Sequence, residues 1–385
     1  MGVVEMTLRI ISGAILLPAL LTAAAMGSAG CGAETEPAEK ALQPDVQARI
    51  DRLVESSMAS GNIPGVIIGV RAPGQGDYMK AYGVADIGNG EPMRTCDRVR
   101  IASITKTFVA TVVLQLVDEG RLTLDETIQE YLPQIPGADK ITVRELLSHS
   151  SGLYDYEDQP FMRSVVANPL KSWNPKDLID LAVSRPAVFS PGSSCAYSNT
   201  NYVALGIIIE QVTGNALGQE ITKRIIEPLG LSATEFPTGP DITGDYSRGY
   251  TDLNGPGQLS DVTRMDMSWD WAAGAMISDV ADLEAWVRVL GKGNLISDEM
   301  QKERMQFLDM PEFDNMASYG LGIMKVGPLI GHSGADPGYN SSMYYLPEKD
   351  ALIVVLFNYC GAADTVDITT IGIAKALFPD VSFPF

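Results

Sequence analysis

Ser103-Ile104-Thr105-Lys106-Thr107-Phe108-Val109-Ala110-Thr111-Val112-Val113-Leu114-Gln115-Leu116-Val117-Asp118-Glu119-Gly120 is an almost continuous apolar run headed by a hydroxyl and an amine. Its length and composition predict one long buried helix over residues 103–119, closed by Gly120, with Lys106 in the first turn. Positions three apart share a helix face, so the Ser103 hydroxyl and the Lys106 amine can meet. A helix N-terminus adds partial positive charge and free backbone N–H groups, which favour a nucleophilic oxygen and a developing oxyanion. Ile101, Ile104, Phe108 and Val109 make the surroundings apolar. Lowering a lysine pKa from ~10.4 to ~7 costs about 4–5 kcal/mol, within what burial supplies. Alone, the pattern also fits a serine cap beside a solvated lysine.

Strands flank this helix in sequence. Apolar spacing predicts an opening helix over Asp45–Ser60, then strands over Gly65–Arg71 and Tyr78–Val84 joined by a turn at Pro73-Gly74-Gln75-Gly76-Asp77. Helical patterns dominate from Leu122 to about Phe236. Strand patterns return at Tyr319–Met324, Ser341–Leu346 and Ala351–Phe357, and a last helix is expected over Thr365–Leu377. Strands from both chain ends with helices between them predict a mixed α/β (α+β) fold: an antiparallel sheet flanked by helices, with an inserted all-helical lobe over residues 122–236.

Two further segments carry chemistry-bearing groups. Tyr197-Ser198-Asn199 lies between a Pro191-Gly192 turn and an apolar helix beginning near Tyr202. A phenol beside an ammonium can shuttle a proton, and an asparagine amide offers donor and acceptor together. Without a partner, the segment reads as a turn with Asn199 as helix cap. Gly331-His332-Ser333-Gly334-Ala335 lies between two strand patterns. As an inner strand it lets backbone approach a substrate closely, with the Ala335 N–H pairing that of Ser103 around an oxyanion and His332 supplying a tunable positive charge. As a loop it is a glycine-rich hairpin with a surface histidine.

Composition narrows the classes. The chain has 385 residues, 45% hydrophobic and 20% charged, enough apolar material for a core and too much for global disorder. A formal net charge of −20 without a long basic run argues against nucleic-acid binding. His149 and His332 are the two histidines, and HExxH and CxxC patterns are absent, so no metal and no cofactor are expected. GxGxxG, P-loop and GxSxG patterns are missing too. Met1–Gly30 has the apolar run of a secretory signal, too short for a comfortable membrane span. Ser28-Ala29-Gly30-Cys31 resembles a bacterial lipobox, implying an exported lipoprotein anchored through Cys31. Simple secretion with cleavage near the alanines is the alternative. Residues 31–44 read as a tether, and 45–385 as the catalytic domain. With Cys31 lipidated, Cys96, Cys195 and Cys360 allow at most one disulfide.

Together and in this order, SxxK at Ser103, YxN at Tyr197 and HSG at His332 resemble the motifs of the serine penicillin-recognising superfamily. That group comprises D-alanyl-D-alanine carboxypeptidases, class C β-lactamases, and related esterases and D-aminopeptidases. The resemblance spans Asp45 to Leu377 and is strongest to the actinomycete exocellular D-alanyl-D-alanine carboxypeptidases, through Leu114–Gly120, Ser148–Tyr156, Tyr197–Asn201 and Tyr319–Gly322. It implies a β-lactamase/transpeptidase-like fold, with Ser103 as nucleophile and Lys106, Tyr197 and His332 as the groups handling protons and charge. Asn199, Ser333, Gly334 and Ala335 line the substrate, and Phe161 and Trp269 form apolar walls. His149 is structural. The implied activity is a D-alanyl-D-alanine carboxypeptidase or related D-peptidase acting on cell-wall peptides and meeting β-lactams. An esterase or β-lactamase on the same scaffold, or a non-catalytic receptor for peptidoglycan or β-lactams, are the alternatives. Two departures bear on specificity. Met324, beside Lys325, stands where those carboxypeptidases hold the substrate carboxylate with an arginine, and Ala335 replaces a hydroxyl residue that helps there.

Overall fold

The structure, a computed structural model, describes residues 40–252, 257–311, 316–361 and 365–384. The signal expected over 1–30, the lipidation expected at Cys31 and the part of the expected tether over 31–39 lie outside the described residues. Residues 40–42, counted in the expected tether, lie against β-strand residue Asp77. Leu42 is buried, its N–H bonds Asp77 O at 3.2 Å, and Asp77 N–H bonds Lys40 O at 2.6 Å, so this stretch is already laid on the domain.

Nine antiparallel strands form the main sheet among the described residues. They are β1 (Gly65–Ala72), β2 (Gly76–Asp86), β3 (Glu91–Pro92), β4 (Leu308–Asp309), β5 (Ala317–Tyr319), β6 (Met324–Val326), β7 (Leu329–Asp336), β8 (Tyr339–Leu346) and β9 (Ala351–Phe357). Their order is β3-β2-β1-β9-β8-β7-β6-β5-β4, so β1 meets β9 in register Val66↔Phe357 and joins the two chain ends. Alternation decides the two faces. Val66, Ile68 and Val70 point with Ile353 and Val355 at helices α1 (Pro44–Gly61) and Thr365–Leu377. Ile67, Val354 and Leu356 point the other way, into the larger core that holds the catalytic elements.

At the centre of that core lies α2 (Thr105–Asp118), apolar on every side and buried at every position from Thr105 to Leu114. Phe108 stacks on Trp286 of the helix Val280–Lys292, with ring centroids 4.2 Å apart, and the Trp286 indole N–H donates to Thr107 Oγ1 at 2.8 Å. Burying two such rings contributes roughly 1.5–3 kcal/mol each. No strand of the main sheet lies between 122 and 236, where helices such as Gln159–Ala167, Pro175–Val183 and α3 (Asn199–Thr213) pack into the same core.

Two local expectations need correction. The helix expected from Ser103 begins instead as a 3-10 turn, Ala102–Ile104, before α2, with Ala102 held at φ 48°. Residues 319–324 are not one strand but a turn between β5 and β6. Gly322 has φ +74° there, and a Cβ on it would meet Ala110 Cβ at 2.0 Å, so the turn is pressed onto α2 too closely for a side chain. Hydrophobic pattern alone cannot distinguish that turn from a strand.

Candidate active site

Ser103 is half-buried at the head of α2, and Lys106 lies one turn on, fully buried. Lys106 Nζ reaches Ser103 Oγ at 2.9 Å, Asn199 Oδ1 at 2.7 Å and the backbone oxygen of Ala273 at 2.7 Å. It also sits 4.9 Å from the centre of the Tyr197 ring. Burial pushes the Lys106 pKa down, against the opposing pull of Asp270, Glu157, Asp155 and Asp336. Two of its three partners are carbonyl oxygens, which only accept. A neutral amine satisfies both with its two N–H groups and turns its lone pair to Ser103 Oγ.

Tyr197, Ser198 and Asn199 stand where an extended segment enters α3, with Ser198 as N-cap residue and Asn199 the first helical residue. The Tyr197 hydroxyl is in hydrogen-bonding reach of Ser103; burial holds its pKa well above the usual value. His149 positions this segment. It is buried at φ 57°, its ring lies tilted against that of Tyr197 with centroids 4.3 Å apart, and its Nδ1 accepts from Ser198 N–H at 3.2 Å and Asn201 Nδ2 at 3.1 Å.

Gly331 to Ala335 lies within β7, not in a loop. A Cβ on Gly334 would stand 2.5 Å from Ile101 O and 2.8 Å from Ser103 N, so this strand abuts the backbone of the nucleophile. Ser333 is half-buried and Ala335 exposed. His332 departs from expectation. It is buried, its Nδ1–H donates to Ser333 O at 2.5 Å, and its Nε2 accepts from Tyr319 Oη at 2.8 Å. Burial and the neighbouring Lys106 push its pKa down to about 3, so it is a neutral, tautomer-fixed group and supplies no positive charge.

Phe161 and Trp269 are not open walls. Phe161 packs edge-on against Tyr156 at 5.2 Å and beside Trp173 at 4.8 Å, and Trp269 is 1% exposed. Tyr156 Oη donates to Trp269 O at 2.8 Å, tying both into the layer behind the site. Met324 is buried, with Tyr344 Oη on its sulfur at 3.6 Å, while Lys325 is exposed with its amine over Phe307. No cation stands at the Met324 position.

Sequence reasoning missed the Ala273 carbonyl and four acids. Asp155 accepts from Asn199 N–H at 3.3 Å and Asn199 Nδ2 at 3.2 Å, and burial pushes its pKa up to about 6. Glu157 and Asp336 turn their carboxyl groups to Asp270, and burial raises the pKa of all three. The signal available was acids set among aromatics, in Tyr154-Asp155-Tyr156-Glu157 and Trp269-Asp270-Trp271. A separate cleft of about 890 Å³, lined by Glu210, Leu217, Phe236 and Trp271 among others, includes none of Ser103, Lys106, Tyr197 and His332. Its size is no argument against the Ser103 site, where the hydroxyl and the Lys106 amine are in contact.

The sequence and the fold match known proteins. Residues 50–377 match the family model described as Beta-lactamase. A D-stereospecific amidohydrolase from Streptomyces sp. superposes with a TM-score of 0.78 at 32% identity, covering 87% of this chain and 99% of that one. The D-amino acid amidase of Ochrobactrum anthropi SV3, complexed with L-phenylalanine amide, gives a TM-score of 0.78 at 28% identity over 88% of this chain and 100% of its own. A D-aminopeptidase of Cereibacter sphaeroides is 26% identical over 321 residues, 82% of this chain and 60% of its own length. The chain spans 60–64% of the length of the curated relatives it matches.

Proposed function

The chain belongs to the Beta-lactamase family of serine hydrolases, and from that premise we propose that it cleaves small amides of D-amino acids through an acyl-enzyme on Ser103. The observation that carries this reading is the Lys106 amine, held by two carbonyl oxygens and directed at Ser103 Oγ.

Ser103 Oγ–H passes its proton to neutral Lys106 while Oγ bonds to the substrate carbonyl carbon. Lys106 is a better base here than Tyr197, because burial favours neutral forms of both: the free amine, but the protonated phenol. The oxyanion is received by the N–H groups of Ser103 and Ala335, a pairing supported by the close approach of the neighbouring Gly334 to Ser103 N. Tyr197, between Ser103 and the leaving group, relays the proton to the departing nitrogen. The C–N bond breaks, and water then cleaves the ester. Ser333 lines the far wall.

The finer expectation of a D-alanyl-D-alanine carboxypeptidase finds little support, since Met324 and Ala335 offer no charge or hydroxyl to a terminal carboxylate. The amidases and aminopeptidase named above favour a related D-peptidase or amidase. Export, by signal or through a lipid on Cys31, remains part of the proposal and suits a substrate derived from cell-wall peptides. To test the reading, the D- and L-alanine p-nitroanilides are compared as substrates, and intact mass is recorded with benzylpenicillin. Faster turnover of the D-compound, lost in Ser103→Ala together with any penicillin adduct, is expected. Preference for the L-compound, or activity surviving in Ser103→Ala, overturns it.

A further inference from the structure

The Lys106 amine is aimed by two carbonyl oxygens, and both are referred to one helix. Asn199 Oδ1 belongs to α3 outright, as its first residue. The Ala273 oxygen does not. It sits on the 3-10 turn Trp271–Ala273, which meets α3 at Gly206. Gly206 follows Asn199 by two helical turns, so the two lie on the same face of α3. Glycine inside a helix is less favourable than alanine, and here close packing offsets that cost. A Cβ on Gly206 would stand 2.7 Å from Ala272 Cβ, 2.7 Å from Trp271 Cζ3 and 2.9 Å from Trp271 Cη2. The indole and the alanine are therefore laid directly on the helix backbone.

Trp271 is an unusual residue for its place. Its φ is 41°, in the left-handed region that a bulky side chain rarely adopts and glycine adopts freely. Such a conformation persists where its surroundings over-determine it. Core filling does not account for the indole, which is half-buried and turns its outer side to the cleft of about 890 Å³. Inward, a few hydrogen bonds carry the position of the ring to the amine. Ala273 N–H donates to Asp270 O at 2.7 Å, and Ala275 N–H donates to Trp271 O at 3.0 Å. Met276 N–H donates to Thr105 Oγ1 at 3.1 Å, pinning the far end of the segment to α2 beside Lys106. A Cβ on Gly274 would fall 1.5 Å from Asp270 Oδ2, so the turn has no slack on that side either.

We propose that Trp271 is a positioning residue: its indole, seated on Gly206, holds the Ala273 carbonyl against the Lys106 amine and so keeps that amine directed at Ser103 Oγ. The inference rests on Ser103 as the acylated residue and Lys106 as its base. In the full chain, acylation by p-nitrophenyl acetate is followed by stopped flow, which separates the limiting rate from the half-saturating ester concentration. Partial unfolding lowers the burst amplitude rather than the limiting rate, so a stability effect is read apart. Trp271→Gly suits the backbone and removes the ring, whereas Trp271→Phe keeps the backbone demand and refills the seat. Trp271→Gly lowers the limiting rate by about 10- to 100-fold with half-saturation changed less than about twofold, and Trp271→Phe stays within about threefold of the wild type. Gly206→Ala raises helix propensity but displaces the ring from the other side, and it lowers the limiting rate as Trp271→Gly does. A Trp271→Gly protein as fast as the wild type overturns the proposal and leaves the Ser103 reading standing. A loss confined to half-saturation overturns it also, since a misplaced base slows the chemical step. A wild type that the ester does not label at Ser103 overturns the Ser103 reading and this inference with it.

Discussion

Lys106 shows how much one buried side chain is asked to do. It has no solvent contact, and the three groups it touches leave its protonation state to decide whether Ser103 is a nucleophile. Lys106→Ala removes the base and strands two buried carbonyl oxygens, so acylation falls by about 10³-fold or more, close to the loss in Ser103→Ala. Stopped-flow acylation by a p-nitrophenyl ester measures both, and a lysine variant that retains a tenth of the wild-type rate contradicts the assignment. The rising limb of the pH–rate profile then belongs to Lys106 and lies below the ordinary lysine value, because burial disfavours its charge. His332 contributes no limb. With its pKa near 3 it is neutral through the working range, and in His332→Gln the profile keeps its shape while the rate drops through lost packing and the lost bond to Tyr319. Disappearance of a limb near pH 6–7 in that variant contradicts a neutral His332.

Between elements, the site depends on three backbone approaches: the 3-10 turn at Ala102–Ile104, the entry to α3 at Ser198, and β7 at Gly334. Gly334→Ala tests the tightest. Its Cβ would fall 2.5 Å from Ile101 O and 2.8 Å from Ser103 N, both backbone atoms, so the strand must retreat and the oxyanion donors part. A loss of about 10²–10³-fold in kcat with unchanged far-UV circular dichroism is expected, and a variant within twofold of wild type shows that β7 does not shape the oxyanion site. What could be read in advance follows the same division. Ser103, Lys106 and the sheet strands β1, β8 and β9 were legible because spacing and alternation are local. The Tyr319–Gly322 turn was not, since Gly322 is shaped by contact with Ala110 more than two hundred residues earlier in the chain. Asp155 and Ala273 were hidden for the same reason: an acid capping an asparagine amide, or a carbonyl on an amine, leaves no periodic trace. His332 was legible as a site residue but not in its charge, which depends on burial.

For the molecule as a whole, acidity and burial act together on stability. The chain carries a formal net charge of −20, yet several acids are held inside the fold. Burial pushes Asp155 and Asp279 from 3.8 up to about 6, whereas Asp261 and Asp266, each hydrogen-bonded to nearby hydroxyls, are held below 3.8. Between pH 4 and 6 Asp155 and Asp279 therefore hold protons in the folded chain that unfolding releases, whereas His149 and His332, neutral in the fold, take protons up on unfolding and act with the opposite sign. The contribution of the two raised acids falls as pH rises through that window, by roughly 3 kcal/mol each. Below pH 4 the lowered groups reverse the slope, because there the unfolded chain takes up protons first. The raised acids thus move the most stable condition toward mildly acidic pH, and self-repulsion of the acidic surface deepens the loss above it. Scanning calorimetry of the full chain should give a Tm several degrees higher at pH 5 than at pH 8. Added salt recovers only the repulsive part, since buried groups are poorly screened. Asp279→Asn separates the two contributions: an asparagine still caps the helix Val280–Lys292, as Asp279 does through Asp282 N–H at 2.9 Å, but cannot ionise. Its Tm should vary less between pH 5 and 8 than that of the wild type. An Asp279→Asn protein with the full wild-type slope, or a wild type more stable at pH 8 than at pH 5, contradicts the burial argument.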